Sequence, residues 1–99
     1  MEKPHALKLK EVKERLKSFP GWKYSNNKIS KEFQFKDFMD SLGFVNKLAP
    51  FFEKNDHHPE WANVYNSVTV DLSTHSAGGI TKKDLDLAAL LEGIAKQLS

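Results

Sequence analysis

The chain contains no cysteine. Disulfides, thiolate metal sites and cysteine nucleophiles are therefore excluded, and the composition suits a reducing, cytoplasmic setting. Arg15 is the only arginine, and the formal net charge is a mild +2. Base readout leans on bidentate arginine and phosphate binding on clustered positive charge, so no direct nucleic-acid binding is expected. Long apolar runs are missing too. The longest, Leu87 to Leu91, falls far short of the ~18 residues of a membrane span. With a polar start, Met1-Glu2-Lys3-Pro4-His5, this composition leads to the expectation of a soluble intracellular protein with no membrane association. Ninety-nine residues fit one domain, 1–99. A chain this short buries a limited fraction of its surface, so self-association as a homodimer or dimer-based tetramer is expected.

What is present is patterned. Leu9, Val12, Leu16 and Phe19 recur at helical spacing until Pro20-Gly21. The lysines of that helix alternate with Glu11 and Glu14, as on a solvated face. Trp22 to Tyr24 and Ile29 to Phe35 flank Asn26-Asn27, and asparagine tolerates the positive φ of tight turns, so the segment reads as a β-hairpin. Phe35, Phe38, Leu42, Val45, Leu48 and Phe52 then mark a helix from about Asp37 to about Lys54. Met39, Phe44 and Phe51 fall off that stripe and suggest a subunit interface. Pro50 inside the pattern predicts a kink or an end to the regular ladder. Trp61 to Tyr65 and Ser67 to Thr74 read as two further strands. Thr81-x-x-Asp84 resembles a capping box opening a last helix, with Leu85, Ala88, Leu91, Ala95 and Leu98 facing inward. The order predicts an α+β fold of two layers, a four-stranded antiparallel sheet with three helices on one face.

Against this background the ionisable groups of the second half stand out: His57-His58-Pro59, with Tyr65, His75 and Asp84 behind. An imidazole titrates near ~6.5, so three of them can hold proton donors and acceptors together at neutral pH, as acid/base chemistry without a nucleophile requires. Proline limits His58 to extended backbone, so neighbouring imidazoles point apart and suit separate roles. His57, His58, His75, Glu53 and Asp56 are also possible zinc ligands, but neither a helical i, i+4 histidine pair nor a cysteine site is present, and no metal is expected. His5 lies outside the cluster and reads as a surface residue. Asp84 has two readings, as a group of the site and as the cap of the last helix.

The spacing is more specific than the cluster. Three residues separate Glu53 from His57, five separate Pro59 from Tyr65, nine separate Tyr65 from His75 and eight separate His75 from Asp84. With Trp61, that pattern resembles the signature of the pterin-4a-carbinolamine dehydratases. The likeness continues through Gly21-Trp22, Phe33, Phe35, Phe38, Ala77-Gly78-Gly79 and Asp84-Leu85-x-Leu87-Ala88, leaving outside it only the segment up to about Arg15.

The resemblance implies the family's α+β fold and a hydro-lyase. Its substrate would be a 4a-hydroxytetrahydropterin, left by an aromatic amino acid hydroxylase, and its products a quinonoid dihydropterin and water, with no cofactor. It places His57 and His75 as acid and base, and His58 as the residue orienting the pterin. His57-His58-Pro59 and Thr74-His75-Ser76-Ala77 would line the pocket, with Glu53 and Asp56 tuning the imidazoles and Asp84 in the catalytic set. Lys83 stands where relatives often carry arginine, so a bidentate contact there would be lost. Animal members also act as dimerisation partners of a homeodomain transcription factor, and a protein-interaction module is the alternative function.

Overall fold

The computed structural model describes residues 6–54 and 59–98. Strand β1 (Lys23–Ser25) turns back into β2 (Lys28–Gln34) through Asn26 and Asn27, both in left-handed backbone at φ 52° and 62°. Two consecutive positive φ values match the right-handed twist of paired strands, and asparagine bears them at low cost. Strands β3 (Glu60–Val64) and β4 (Ser67–Leu72) form the second hairpin around Tyr65-Asn66. There Tyr65 takes φ 52°, an uncommon state for a bulky residue. Asn63 Nδ2 donates to the carbonyls of Tyr65 and Ser67, and Asn66 exchanges hydrogen bonds with the backbone of Phe35, which holds the turn in place.

The sheet order is β1-β2-β4-β3, antiparallel throughout, with Ile29 opposite Leu72, Phe33 opposite Val68 and Trp61 opposite Val70. Period-two alternation puts Ile29, Phe33, Val68, Val70 and Leu72 on one buried face. Helices α1 (Leu9–Leu16), α2 (Phe38–Lys54) and α3 (Lys82–Leu98) pack against it, contributing Val12, Phe44, Leu48, Phe52, Leu85, Ala88 and Leu91 to one core. This is the expected α+β fold. Lys31 interrupts the apolar row of β2. Its Nζ lies 4.8 Å from the centre of the Phe33 ring and pairs with Glu92, which also accepts from Trp22 Nε1 at 2.9 Å. The aliphatic stem thus stays on the apolar face while the charge reaches the rim.

Three details depart from the sequence-based expectations. Helix α1 stops at Leu16, and the chain reaches Phe19 through tighter i→i+3 turns. The buried stripe of α2 is Ser41, Phe44, Leu48 and Phe52, rotated from the predicted one. Phe44 is fully buried, its ring 5.0 Å from that of Phe33 and 4.9 Å from that of Phe35, so it belongs to the core and not to an interface. Finally, α2 continues through Pro50 to Lys54. Pro50 and Asn46 both face solvent, where the carbonyl left without an amide partner can bind water.

Candidate active site

Beyond β4 the chain forms a closed loop whose base is buried and whose tip is exposed. The Thr74 amide donates to the Gly79 carbonyl at 2.9 Å, closing the neck. His75–Ala77 make one 3-10 turn, and Gly78, at φ 70°, donates back to the Thr74 and His75 carbonyls. Glycine takes that left-handed state without a Cβ penalty. His75 and Ser76 are exposed and Ala77 is half-buried.

The loop is anchored by Asp84, which has no exposed surface. Asp84 Oδ2 accepts from the Thr81 amide at 2.9 Å and from Thr74 Oγ1 at 2.8 Å, while the two threonine hydroxyls lie 2.7 Å apart. A hydroxyl has one proton. Since Thr74 gives its proton to the carboxylate, Thr81 must donate to Thr74, and the chain of bonds runs Thr81 to Thr74 to Asp84. The bond from the Thr81 amide is the reciprocal half of a capping box, and the bond from Thr74 ties that cap to the residue preceding His75. One carboxylate thus starts α3 and holds Thr74, the residue before His75, without an exposed atom of its own.

The strand register brings other residues to the same end of the sheet. Glu60 pairs with Asp71, four positions before His75, so half-buried Pro59 enters β3 beside the start of the histidine loop. His57 and His58, the preceding residues of the motif, lie outside the described residues, as does Asp56. Glu53 is exposed near the end of α2. Tyr65 is at the opposite end of β3, 65% exposed, and is not brought to the loop.

Lys28 reaches across the outer face of the sheet to Glu60, Nζ to Oε1 2.7 Å. The hydrogen bond from Lys28, then its charge, then that of His75 hold the Glu60 carboxyl below its ordinary value. The same hydrogen bond, helped by the charges of Glu60 and Asp71, raises Lys28 above its own against an opposing effect of desolvation. Both groups are at the surface, so this pair orients side chains more than it stabilises the fold. Lys28, Asn26, Asn27 and Ser73 share with Thr74 and His75 a cleft of about 160 Å³. The sequence alone marked none of these four as site residues. The only available signal was the register: with Ile29 opposite Leu72, the hairpin turn falls beside Ser73. Among the described residues no group of histidines and carboxylates is arranged to hold a metal ion. None of their helices is long and apolar enough to cross a membrane.

This helix-backed antiparallel sheet is the fold of a pterin dehydratase of known structure. A solved structure from Brucella melitensis, described as a transcriptional coactivator/pterin dehydratase, superposes with a TM-score of 0.89 at 41% identity, covering 92% of this chain and 99% of that one. A provisionally named pterin-4-alpha-carbinolamine dehydratase of Sulfolobus acidocaldarius is 48% identical over 84 residues, 85% of this chain and 92% of its own length. Another from Prochlorococcus marinus (strain MIT 9515) is 44% identical over 92 residues, 93% and 96% of the two chains. The chain belongs to the pterin 4 alpha carbinolamine dehydratase family, whose model matches residues 5–94. The match thus begins well before Arg15, the point up to which the motifs alone showed no likeness.

Proposed function

We propose that this protein removes water from a 4a-hydroxytetrahydropterin to give a quinonoid dihydropterin, so that the pterin of an aromatic amino acid hydroxylase can be used again. In this elimination a proton leaves the ring nitrogen beside the carbinolamine carbon, the carbon–oxygen bond breaks, and the hydroxyl takes up a proton to depart as water. Hydroxide leaves poorly at neutral pH, so both proton transfers need positioned groups. His57 and His75 serve as the acid and base, and His58 orients the pterin. Pro59, Thr74, Ser76 and Ala77 line the pocket, Glu53 and Asp56 tune the imidazoles, and Asp84 positions His75 through Thr74.

The observation that carries this reading is the pinned loop. It presents an exposed imidazole at the end of the sheet where Pro59 leads into β3. The reaction needs no metal and no cofactor and takes place in the cytoplasm. With carbinolamine generated by a hydroxylase, the purified chain is expected to accelerate dehydration, and the rate is expected to survive exhaustive chelation. Loss of turnover on chelation, restored by zinc, would sink the acid/base mechanism.

A second reading is favoured by the Brucella protein's description as a coactivator. In it the chain is an interaction module that works through helix surfaces, including exposed Met39 and Phe51 of α2. Alanine at both His57 and His75 separates the two readings, because it should stop dehydration and leave association intact.

A further inference from the structure

Two consecutive carbonyls at the neck of the histidine loop are bonded to different parts of the chain. Gly79 accepts from the Thr74 amide at 2.9 Å, the bridge that closes the loop, and Ile80 accepts from the Leu7 amide at 2.7 Å. Leu7 lies in the stretch just ahead of α1, far from the loop in chain order. The Gly79-Ile80 strip is thus bonded both to the loop and to the residues that lead into α1. Side chains reinforce the second contact. The Ala6 methyl lies over Gly79, where an added Cβ would stand 3.4 Å from it, and Leu7 is half-buried against the core.

The setting gives that bond weight. Gly79, Ile80 and Thr81 are buried, and a buried carbonyl that loses its donor has no ready replacement from water. Gly78 and Gly79 restrict the backbone least of all residue types, so the path out of the loop relies on bonds from outside it. Asp84 secures the Thr74 side of the neck, and Leu7 secures the Ile80 side. His75 itself is exposed at the tip, so its place follows that of the neck. Misplacing a reacting group by about 1 Å can cost ~10²-fold in rate, so a small shift at the neck reaches the chemistry.

We propose that Leu7 is a positioning residue for the reaction: its backbone amide braces the Gly79-Ile80 strip and so holds the His75 loop in its working place. The proposal rests on the dehydratase reading, which assigns His75 to the chemistry.

The test sets the full-length protein beside Leu7→Pro, which lacks the amide, and Leu7→Ala, which trims the side chain but keeps the amide. Turnover of a 4a-hydroxytetrahydropterin gives kcat and KM, NMR gives amide hydrogen exchange, and circular dichroism confirms folding. Leu7→Pro is expected to speed exchange at Thr74 and to lower kcat, each by about three- to tenfold, the worth of one hydrogen bond, with KM little changed. Leu7→Ala is expected to keep kcat near that of the unaltered chain. In a His75→Ala background, Leu7→Pro is expected to cost nothing further, because its effect runs through His75. A merely structural role would lower both backgrounds alike. Unchanged kcat or unchanged Thr74 exchange in folded Leu7→Pro overturns the brace, as does the same loss in Leu7→Ala or in the His75→Ala background. If Leu7→Pro does not fold, exchange in the unaltered chain decides. Leu7 and Thr74 amides that open together support the brace, and a Leu7 amide exchanging freely while Thr74 stays protected overturns it. If the unaltered chain dehydrates no pterin, the dehydratase reading fails and the positioning role falls with it.

Discussion

Asp84 is a buried carboxylate whose acceptor atom serves two donors, the Thr81 amide and the Thr74 hydroxyl. Truncation to alanine would leave both without that acceptor, at ~1–3 kcal/mol for each buried group. Asp84→Ala is therefore expected to lower unfolding stability by about 2–6 kcal/mol in urea titration, with Asp84→Asn losing less because it keeps one acceptor oxygen. Both variants should also lower kcat, since the same bonds fix the neck of the His75 loop. An Asp84→Ala protein of unchanged stability would show that the network carries no strain of the fold. The histidines call for a different measurement. Loss of one acid/base group commonly costs ~10²–10⁴-fold in rate, and groups acting as a unit are non-additive. His57→Ala and His75→Ala are each expected to lower kcat without unfolding, and the double variant to fall to background. His58→Ala is expected mainly to raise KM. Full kcat in the double variant would take these residues out of the chemistry.

Among the elements, α2 departs most from its sequence pattern. Ser41 opens its buried stripe, with Oγ 2.6 Å from the Phe38 carbonyl and 2.8 Å from that of Tyr65, sharing one proton between them, while Asn63 donates to it at 3.2 Å. A polar residue at a core position is invisible to a count of apolar spacing, which is why the predicted stripe was rotated. Pro50 departs in the other sense. It lies inside a continuous helix although its ring removes one amide donor and crowds the Asn46 carbonyl. Proline costs ~3 kcal/mol against alanine in a helix interior, and less where solvent can take the freed carbonyl. Pro50→Ala is accordingly expected to stabilise the protein by about 1–2 kcal/mol, read as a higher Tm in calorimetry. An unchanged or lower Tm would mean that proline is needed there for packing or association.

The whole molecule leaves apolar surface uncovered on α2 and β3. Met39 is 71% exposed and Val64 72%, and Phe38, Phe51, Trp61 and Tyr65 are also exposed. Ser41 joins the start of α2 to the Tyr65 turn, so Phe38, Met39, Val64 and Tyr65 belong to one region. Strand β3 is an edge of the sheet, a row of backbone groups open to pairing with another chain. These features support a homodimer or dimer-based tetramer built on α2 and β3, without the contribution from Phe44 that the sequence suggested. Sedimentation at micromolar concentration is expected to show the oligomer. Met39→Glu and Phe51→Glu are expected to shift it toward monomer. A monomer in the unaltered protein would refute the assembly.

How much was legible in the sequence follows from the range of the forces involved. The Asn26-Asn27 turn, the alternation of Val68, Val70 and Leu72, and the Thr81-x-x-Asp84 cap were readable because turn chemistry, pleat and capping act over a few residues. The family motif was readable for a related reason: its histidines stand at fixed offsets along the chain. Tertiary structure alone decided what depends on register. It set Lys28 against Glu60 across an intervening strand, placed Ser73 beside the hairpin turn, joined Thr74 to Asp84, and turned Phe44 inward against Phe33 and Phe35. Each of these pairs residues that chain order separates, and a shift of one residue in strand pairing would turn every side chain of that strand to the other face, so only the packed core selects them.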